Sequence, residues 1–384
     1  MISRVPKSNL VSVLYFSNES VRGGVEEHLL TLLRGLDRQR FRPYLACTPE
    51  LAEALAADLP GDVIVAPIRL RSPRDFTGAA ALASLLRCIR AEILHSHLFF
   101  ASLLAAPIAR ACRVPVVIET PHVREHWRHG WKASHRIDRW AARLVDRFIA
   151  VSESNAEYLR SEKGLPAAKV TTIRNGCDIA RFQPDRAPSP ELRRRYGVSP
   201  ADPVLVMVAR LEPQKGHEVL FAAMPRLLAL HPRLKLLCVG DGALRGSLEA
   251  RRRQLGLDQA VHFAGFQADI GAFLALATAT VLPSHYEGLP LAAIESLAAG
   301  KPVLASAVDG TPEVVRNGET GLTFPAGNPD AIVDAVSTAL ADRDRCLAWG
   351  RAGRRLVEDQ FSHRAQLRQT ESLYLNTWEA AAHA

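Results

Sequence analysis

Val204-Leu205-Val206-Met207-Val208 runs directly into Ala209-Arg210-Leu211-Glu212-Pro213-Gln214-Lys215-Gly216, and a helix-period segment, His217–Leu230, follows. A short apolar run closed by a polar loop that carries Pro and Gly reads as a buried strand feeding a helix. The same unit recurs in both directions. Downstream, strands are expected at Leu234–Val239, Val261–Phe263, Ala279–Leu282 and Val303–Ala305, with helices at about Leu244–Gln254, Leu289–Ala299 and Asp330–Leu340. Upstream, strands are expected at Val11–Phe16, Tyr44–Cys47, Val63–Val65, Ile93–His95, Val116–Ile118, Phe148–Val151 and Val170–Ile173. Helical stretches at Val25–Leu36, Ala79–Arg90 and Ile137–Val145 separate most of them. This alternation predicts an α/β fold of two Rossmann-like, doubly wound domains facing a cleft, with ligands at the strand C-termini.

The proline-rich run Gln183–Pro190 marks the break. The expected division is an N-terminal domain over 1–180, a linker over 181–202, a C-terminal domain over 203–360, and a tail over 361–384 that reads as helix with no strand after it.

At 384 residues, 48% hydrophobic and 23% charged, the chain can build two full cores without a metal or disulfide staple. Its six cysteines are scattered with no C-x-x-C pair, which suits a reduced cytoplasmic protein. No apolar run reaches the ~18 residues of a spanning helix. The longest, Leu98–Ala109, ends at Arg110. The brief run Leu10–Phe16 reads as a first strand, not a signal peptide.

The net charge of +8 is uneven. Residues 1–180 hold 25 Lys/Arg against 18 Asp/Glu, whereas residues beyond 202 hold 18 against 19. An anionic partner is therefore expected on the first half. Arg124, Arg128, Lys132 and Arg136 recur every four residues and Arg139, Arg143 and Arg147 continue the series, with Trp127, Trp131 and Trp140 interleaved. That pattern suits an anionic membrane surface, and equally a solvated helical face above core tryptophans.

His285-Tyr286-Glu287-Gly288-Leu289-Pro290-Leu291-Ala292-Ala293-Ile294-Glu295-Ser296 carries the most chemistry. Gly288 and Pro290 lead into a helix that is apolar except for Glu295, and a carboxylate there needs a partner. The helix N-terminus suits a diphosphate, with Glu287 just ahead of it and Glu295 a turn and a half inside, where they can grip hydroxyls on either side. A nucleotide sugar has that layout. Arg210 and Lys215, on a strand-to-helix loop, can meet the phosphates of a leaving nucleotide. The bland reading is a solvent-facing Glu287, a Glu295 paired in the core and two solvated cations.

Other signals carry less. Gly240-Asp241-Gly242 lacks the third glycine of a dinucleotide loop, and no P-loop or G-x-S-x-G is present. His95 with His97, or His122 with His126, lacks the spacing and acidic companions of a metal site. Asp342-Arg343-Asp344 reads as a solvated face.

Taken together the chain resembles the retaining GT-B glycosyltransferases of family 4 (glycosyl transferases group 1). The E-x7-E of Glu287 and Glu295 and the R-L-x-x-Q-K-G-H of Arg210–His217 carry the resemblance. Further matches are Gly23-Gly24-Val25-Glu26, His97, His122, Ser152-Glu153, Ile173–Gly176 with Asp178 and Phe182, Gly240–Gly242, Gly310–Glu313 and Gly321-Leu322. The resemblance implies catalytic roles for His122, Arg210, Lys215 and Glu287. It implies donor binding by Gly23, Gly24, Phe266, Gly288, Leu289, Pro290 and Glu295. The tail helix would pack back on the N-terminal domain, which would bind the acceptor. Arg124, Trp127, Arg128, Trp131 and Lys132 are the candidate acceptor or membrane face.

The expected reaction moves a hexose-type sugar from a nucleoside diphosphate sugar, UDP favoured over GDP, to a glycan or lipid-linked acceptor. Bacterial cell-surface polysaccharide or lipopolysaccharide synthesis is the expected setting. No cofactor, no metal and no nucleic acid are expected, and the location is cytoplasmic or peripheral on the inner membrane face. The competing readings are a nucleotide-sugar epimerase of the same fold and a non-catalytic basic binding protein.

Overall fold

The computed structural model describes residues 10–125 and 134–383. The chain divides into two compact units, Met1–Asn175 with Arg364–Ala384, and Gly176–His363.

The first unit is built on β1 (Val11–Phe16), β2 (Phe41–Cys47), β3 (Ile64–Pro67), β4 (Ile93–His97), β5 (Val116–Thr120), β6 (Arg147–Ala150) and β7 (Val170–Thr172). They form one parallel sheet in the order β3-β2-β1-β4-β5-β6-β7. Every residue of β1 is buried, because helices cover both faces of a parallel sheet and the strand reads as an unbroken apolar run. Leu14, Phe16, Tyr44 and Leu94 fill one face, and Val13, Tyr15, Leu45 and Ile93 the other. The tail helix His363–Ala382 adds Leu367 and Tyr374 to the second of these cores.

The second unit holds β8 (Val204–Val208), β9 (Lys235–Val239), β10 (Val261–Gly265), β11 (Ala279–Leu282), β12 (Val303–Ser306) and β13 (Gly321–Phe324). Their order is β10-β9-β8-β11-β12-β13, again all parallel. The two sheets are thus two Rossmann-like repeats. In each, strand order reverses once, between β1 and β4 and between β8 and β11. At such a switch point the loops leaving the two strands diverge and leave a crevice.

Three readings change. Strand β13 is not among the expected strands: it opens on Gly321, whose φ of +156° lets the backbone lie against β12. A Cβ on Gly321 would stand 1.9 Å from Val303 O. Residues 181–202, read as a linker, belong to the second unit and carry a short helix, Pro190–Arg195, capped by Ser189. Asp342-Arg343-Asp344 is exposed, as a solvated face should be, and starts the helix Arg343–Gln360, with Asp342 capping it through the Arg345 N–H (3.0 Å). The helix expected at Ile137–Val145 is Ser134–Ala141, and Arg147 opens β6, so the basic series does not follow one helix. Among the described residues, no helix is long and apolar enough to cross a membrane.

Candidate active site

In the second unit the loops leaving β8 and β11 are fastened to each other. Gly216, at φ +69°, caps the helix His217–Leu230, and a Cβ there would stand 2.0 Å from Pro283 O. Only glycine allows that approach. His285 N–H donates to Gln214 O (2.8 Å), and Gln214 Nε2 donates to Tyr286 O (2.9 Å). The result brings Lys215 Nζ to 2.6 Å from Glu287 Oε1, with side-chain exposures of 19% and 9%. A third loop joins them: Asp309, at φ +42° after β12, accepts the Glu287 N–H through Oδ2 (2.8 Å).

Arg210 is half-buried, and its guanidinium acts on the Tyr286 phenol. Burial pushes that phenol up and Arg210 opposes the rise. No carboxylate pairs with Arg210 among the described residues. The glycine loop after β9 backs this cation: Leu211 N–H donates to Asp241 O (3.0 Å), and a Cβ on Gly240, at φ +136°, would stand 2.0 Å from Ala209 O. Those glycines therefore serve close packing of the loop that presents Arg210.

Gly288, Leu289 and Pro290 are buried and lead from Glu287 into the helix Leu291–Ala298. Pro290 caps this helix, so it starts two residues later than the sequence suggests. Its first N–H groups have no partner within the helix and present partial positive charge. Glu295 lies one turn in, half-buried, and close enough to Cys177 to help raise that thiol, after burial itself. Phe266, just past β10, is 56% exposed.

In the first unit, Gly23 caps the helix Gly24–Gly35 and donates its N–H to Glu26 Oε2 (2.9 Å). Gly24 follows on the surface. His122 follows β5 at φ +64°, and Val123 N–H donates to Pro121 O (2.8 Å). This is a classic-sense γ-turn, a strained form for a non-glycine residue. Four buried imidazoles gather here: His28, His95, His97 and His122. His97 Nδ1 lies 2.9 Å from His122 Nε2, and His28 stands edge-on to His122 with ring centroids 4.7 Å apart. His28 Nδ1 lies 2.8 Å from Asn175 Oδ1 and 2.9 Å from Gln366 Nε2. Burial keeps all four rings from protonating, pushing His28 down to about 4 and the others well below their usual range.

His28, His97 and His122 each offer a ring nitrogen within 4.8 Å of the others, a set of neutral donors that zinc-class cations accept. Two of those rings are hydrogen-bonded to each other, so a cation would have to break that bond to enter. Reading the sequence finds His97 and His122 as separate matches and passes over His28, Asp309, Gln366 and Tyr374. Their only signal is position inside the first helix, past a strand end or on the tail helix, which no local pattern marks.

Arg124 pairs with Glu162 and lies over the Tyr158 ring (5.1 Å to the centroid), anchored to a π-helical turn. Trp127, Arg128, Trp131 and Lys132 lie outside the described residues.

Comparison with known proteins shows the family. The Glycosyltransferase Family 4 profile matches residues 22–181 and the Glycosyl transferases group 1 profile residues 188–356. A Mycobacterium tuberculosis glycogen synthase is 33% identical over 298 residues, covering 75% of this chain and 70% of that one. The GDP-mannose-dependent alpha-(1-6)-phosphatidylinositol monomannoside mannosyltransferase of the same species is 33% identical over 270 residues, covering 67% and 69%. In fold, the chain is similar to Anabaena HepE, solved in complex with UDP and glucose, with a TM-score of 0.84 at 20% identity over 95% of this chain and 100% of that one. A strand order reversing between β8 and β11, loops clamped there around Lys215 and Glu287, and identity along most of two curated transferases lead to one conclusion: the chain is an enzyme of the family 4, group 1 glycosyltransferases.

Proposed function

We propose that the chain transfers a hexose-type sugar from a nucleoside diphosphate sugar, UDP favoured over GDP, to a glycan or lipid-linked acceptor with retained anomeric configuration. The observation that carries this reading is the convergence of Arg210, Lys215 and Glu287 ahead of the helix that bears Glu295. In the reaction the bond from the anomeric carbon to the phosphate oxygen breaks, and a bond to the acceptor oxygen forms on the same face. The acceptor proton passes to the departing phosphate, so the products are a glycoside and a nucleoside diphosphate. Charge grows on the diphosphate as it leaves, and fixed cations stabilise that more than they stabilise the bound donor.

Arg210 and Lys215 supply the positive charge, together with the N-terminus of the helix Leu291–Ala298. Glu287 holds Lys215 in place and contacts the donor sugar, Glu295 takes the ribose hydroxyls, and exposed Phe266 meets the base. With two protein cations on the phosphates, the reading is metal-independent transfer. His122 serves as a catalytic residue of the transfer.

Bacterial cell-surface polysaccharide or lipopolysaccharide synthesis fits a basic acceptor unit, and peripheral contact with an anionic membrane follows from the same charge. Two facts support the contact: the basic excess of residues 1–180 and the 54% exposure of Trp140. Acceptor-dependent release of nucleoside diphosphate tests the proposal. An epimerase would consume the donor with no acceptor present, and a binding protein would release nothing.

A further inference from the structure

His97 ends β4 and His122 follows β5, the neighbouring strand, with His97 paired in register with Thr120. The two rings are stacked, with centroids 5.2 Å apart and planes 28° from parallel. Their one mutual hydrogen bond, Nδ1 of His97 to Nε2 of His122, needs one proton between two nitrogens. Burial keeps both rings uncharged, so each ring carries a single proton and two arrangements exist.

The surroundings of His97 separate them. Its other nitrogen, Nε2, is fully buried and has no hydrogen-bond partner among the described residues. If His122 donated, His97 would carry its proton on Nε2, leaving a buried N–H with no acceptor. If His97 donates, Nε2 is a bare lone pair. A buried orphan N–H is the rarer and costlier of the two defects.

The rings around the pair are themselves fixed. Tyr374 OH donates to Tyr15 OH (3.2 Å), so its oxygen accepts from His95 Nδ1 (2.6 Å), and His95 Nε2 accepts from Thr120 Oγ1 (2.7 Å). His95, locked in this way, lies against His97 with centroids 4.4 Å apart. His28, held by Asn175 and Gln366, closes the other side.

We propose that His97 is a positioning residue: its Nδ1–H donates to His122 Nε2 and so fixes His122 as the Nδ1–H tautomer, which presents an N–H donor from the strained turn for the transfer step. The second ring nitrogen of a histidine commonly sets the tautomer of the working one. The strain at His122 belongs with this role, because a ring offered at one angle with one proton position is costly to hold and must be over-determined by its neighbours. The catalytic part of the inference rests on the transferase reading above, whereas the tautomer does not.

The test is the pair of ring-nitrogen shifts in full-length protein labelled with 15N-histidine at neutral pH. The expected result is protonated Nδ1 and bare Nε2 on both His97 and His122. A protonated His97 Nε2, or averaged shifts that report exchanging tautomers, overturns the proposal. Kinetics supply the second reading. His97→Phe should lower kcat at least about tenfold with the donor KM little changed, since a wrong tautomer costs turnover more than binding. His97→Asn, whose amide N–H can replace Nδ1–H, should restore most of it. Equal kcat for His97→Phe and wild type would overturn the proposal, and so would failure of His97→Asn to exceed His97→Phe. A wild-type chain that transfers to no acceptor would instead refute the transferase reading and the catalytic role with it, with the nitrogen shifts still deciding the tautomer.

Discussion

Lys215 Nζ and Glu287 Oε1 lie 2.6 Å apart although 72 residues separate them in the chain. The pairing follows from strand order. Lys215 leaves β8 and Glu287 leaves β11, the two strands on either side of the switch point in the second sheet. One backbone and one side-chain hydrogen bond of Gln214, with the missing Cβ of Gly216, fix the spacing of the loops. A lysine and a glutamate read from sequence as separate binders thus form one unit.

Because they act as a unit, Lys215→Ala and Glu287→Ala should each lower turnover by roughly 10²-fold, the scale of losing one preorganised transition-state contact. The double variant should lose far less than the product of the two losses. Steady-state release of nucleoside diphosphate with circular dichroism as the fold control measures this. Near-normal turnover in both single variants would refute the site.

Gly216 and Gly265 share a left-handed φ, +69° and +70°, but differ in surroundings. A Cβ at Gly216 meets Pro283 O, whereas nothing lies within 4 Å of one at Gly265. Gly265→Ala should cost about 1 kcal/mol of stability, from backbone conformation alone. Gly216→Ala should cost at least about 2 kcal/mol and also weaken nucleotide binding, because the loop must move away from Pro283. Urea unfolding of the two variants side by side gives the comparison.

Arg210→Ala should weaken nucleoside diphosphate binding far more than nucleoside binding, since the contact is to phosphate charge. Raising the salt concentration should narrow the gap between wild type and variant. Equal losses for both ligands would move Arg210 away from the phosphates.

Stability should fall as pH drops from about 6.5 to 5. His28 is held down to about 4, and His95, His97 and His122 well below 6.5, so the unfolded chain binds protons there that the folded chain does not. Each such group contributes a slope of up to about 1.4 kcal/mol per pH unit, with stability rising as pH rises. Glu119 acts the other way: burial raises it to about 7, Lys163 opposing, so the folded chain holds its proton where the unfolded chain releases it. Four histidines outweigh one glutamate. A thermal midpoint that stays level or rises on acidification through this range would contradict the assignment.

Sedimentation with anionic vesicles at low salt should pull the chain down, and added salt should release it. Neutral vesicles should not retain it. Absence of binding to anionic vesicles would leave the basic residues of the first unit as a solvated face.

The sheets were legible because parallel strands buried on both faces spell themselves as apolar runs, as in Val11–Phe16 and Val204–Val208. Strand β13 was not, because it opens with a glycine whose value is close approach to Val303 rather than turning. Arg210, Lys215, Glu287 and Glu295 could be picked out as charges standing in apolar or glycine-bearing settings. Their pairing could not, since it depends on which strands are neighbours. Asp309 gave no signal beyond its loop, and the histidine cluster draws on residues from 28 to 366 that only the folded sheet and tail helix assemble. The basic face was legible as a pattern, yet Arg124 turns out to be engaged by Glu162 and Tyr158.

The most direct test of the central claim is calorimetric titration of the wild-type chain and Glu295→Ala with UDP, GDP and ADP. The account predicts tight binding of one of these, UDP foremost, and its loss or marked weakening in the variant. Binding of none of the three by the wild-type chain would contradict a nucleoside diphosphate site at Arg210, Lys215, Glu287 and Glu295.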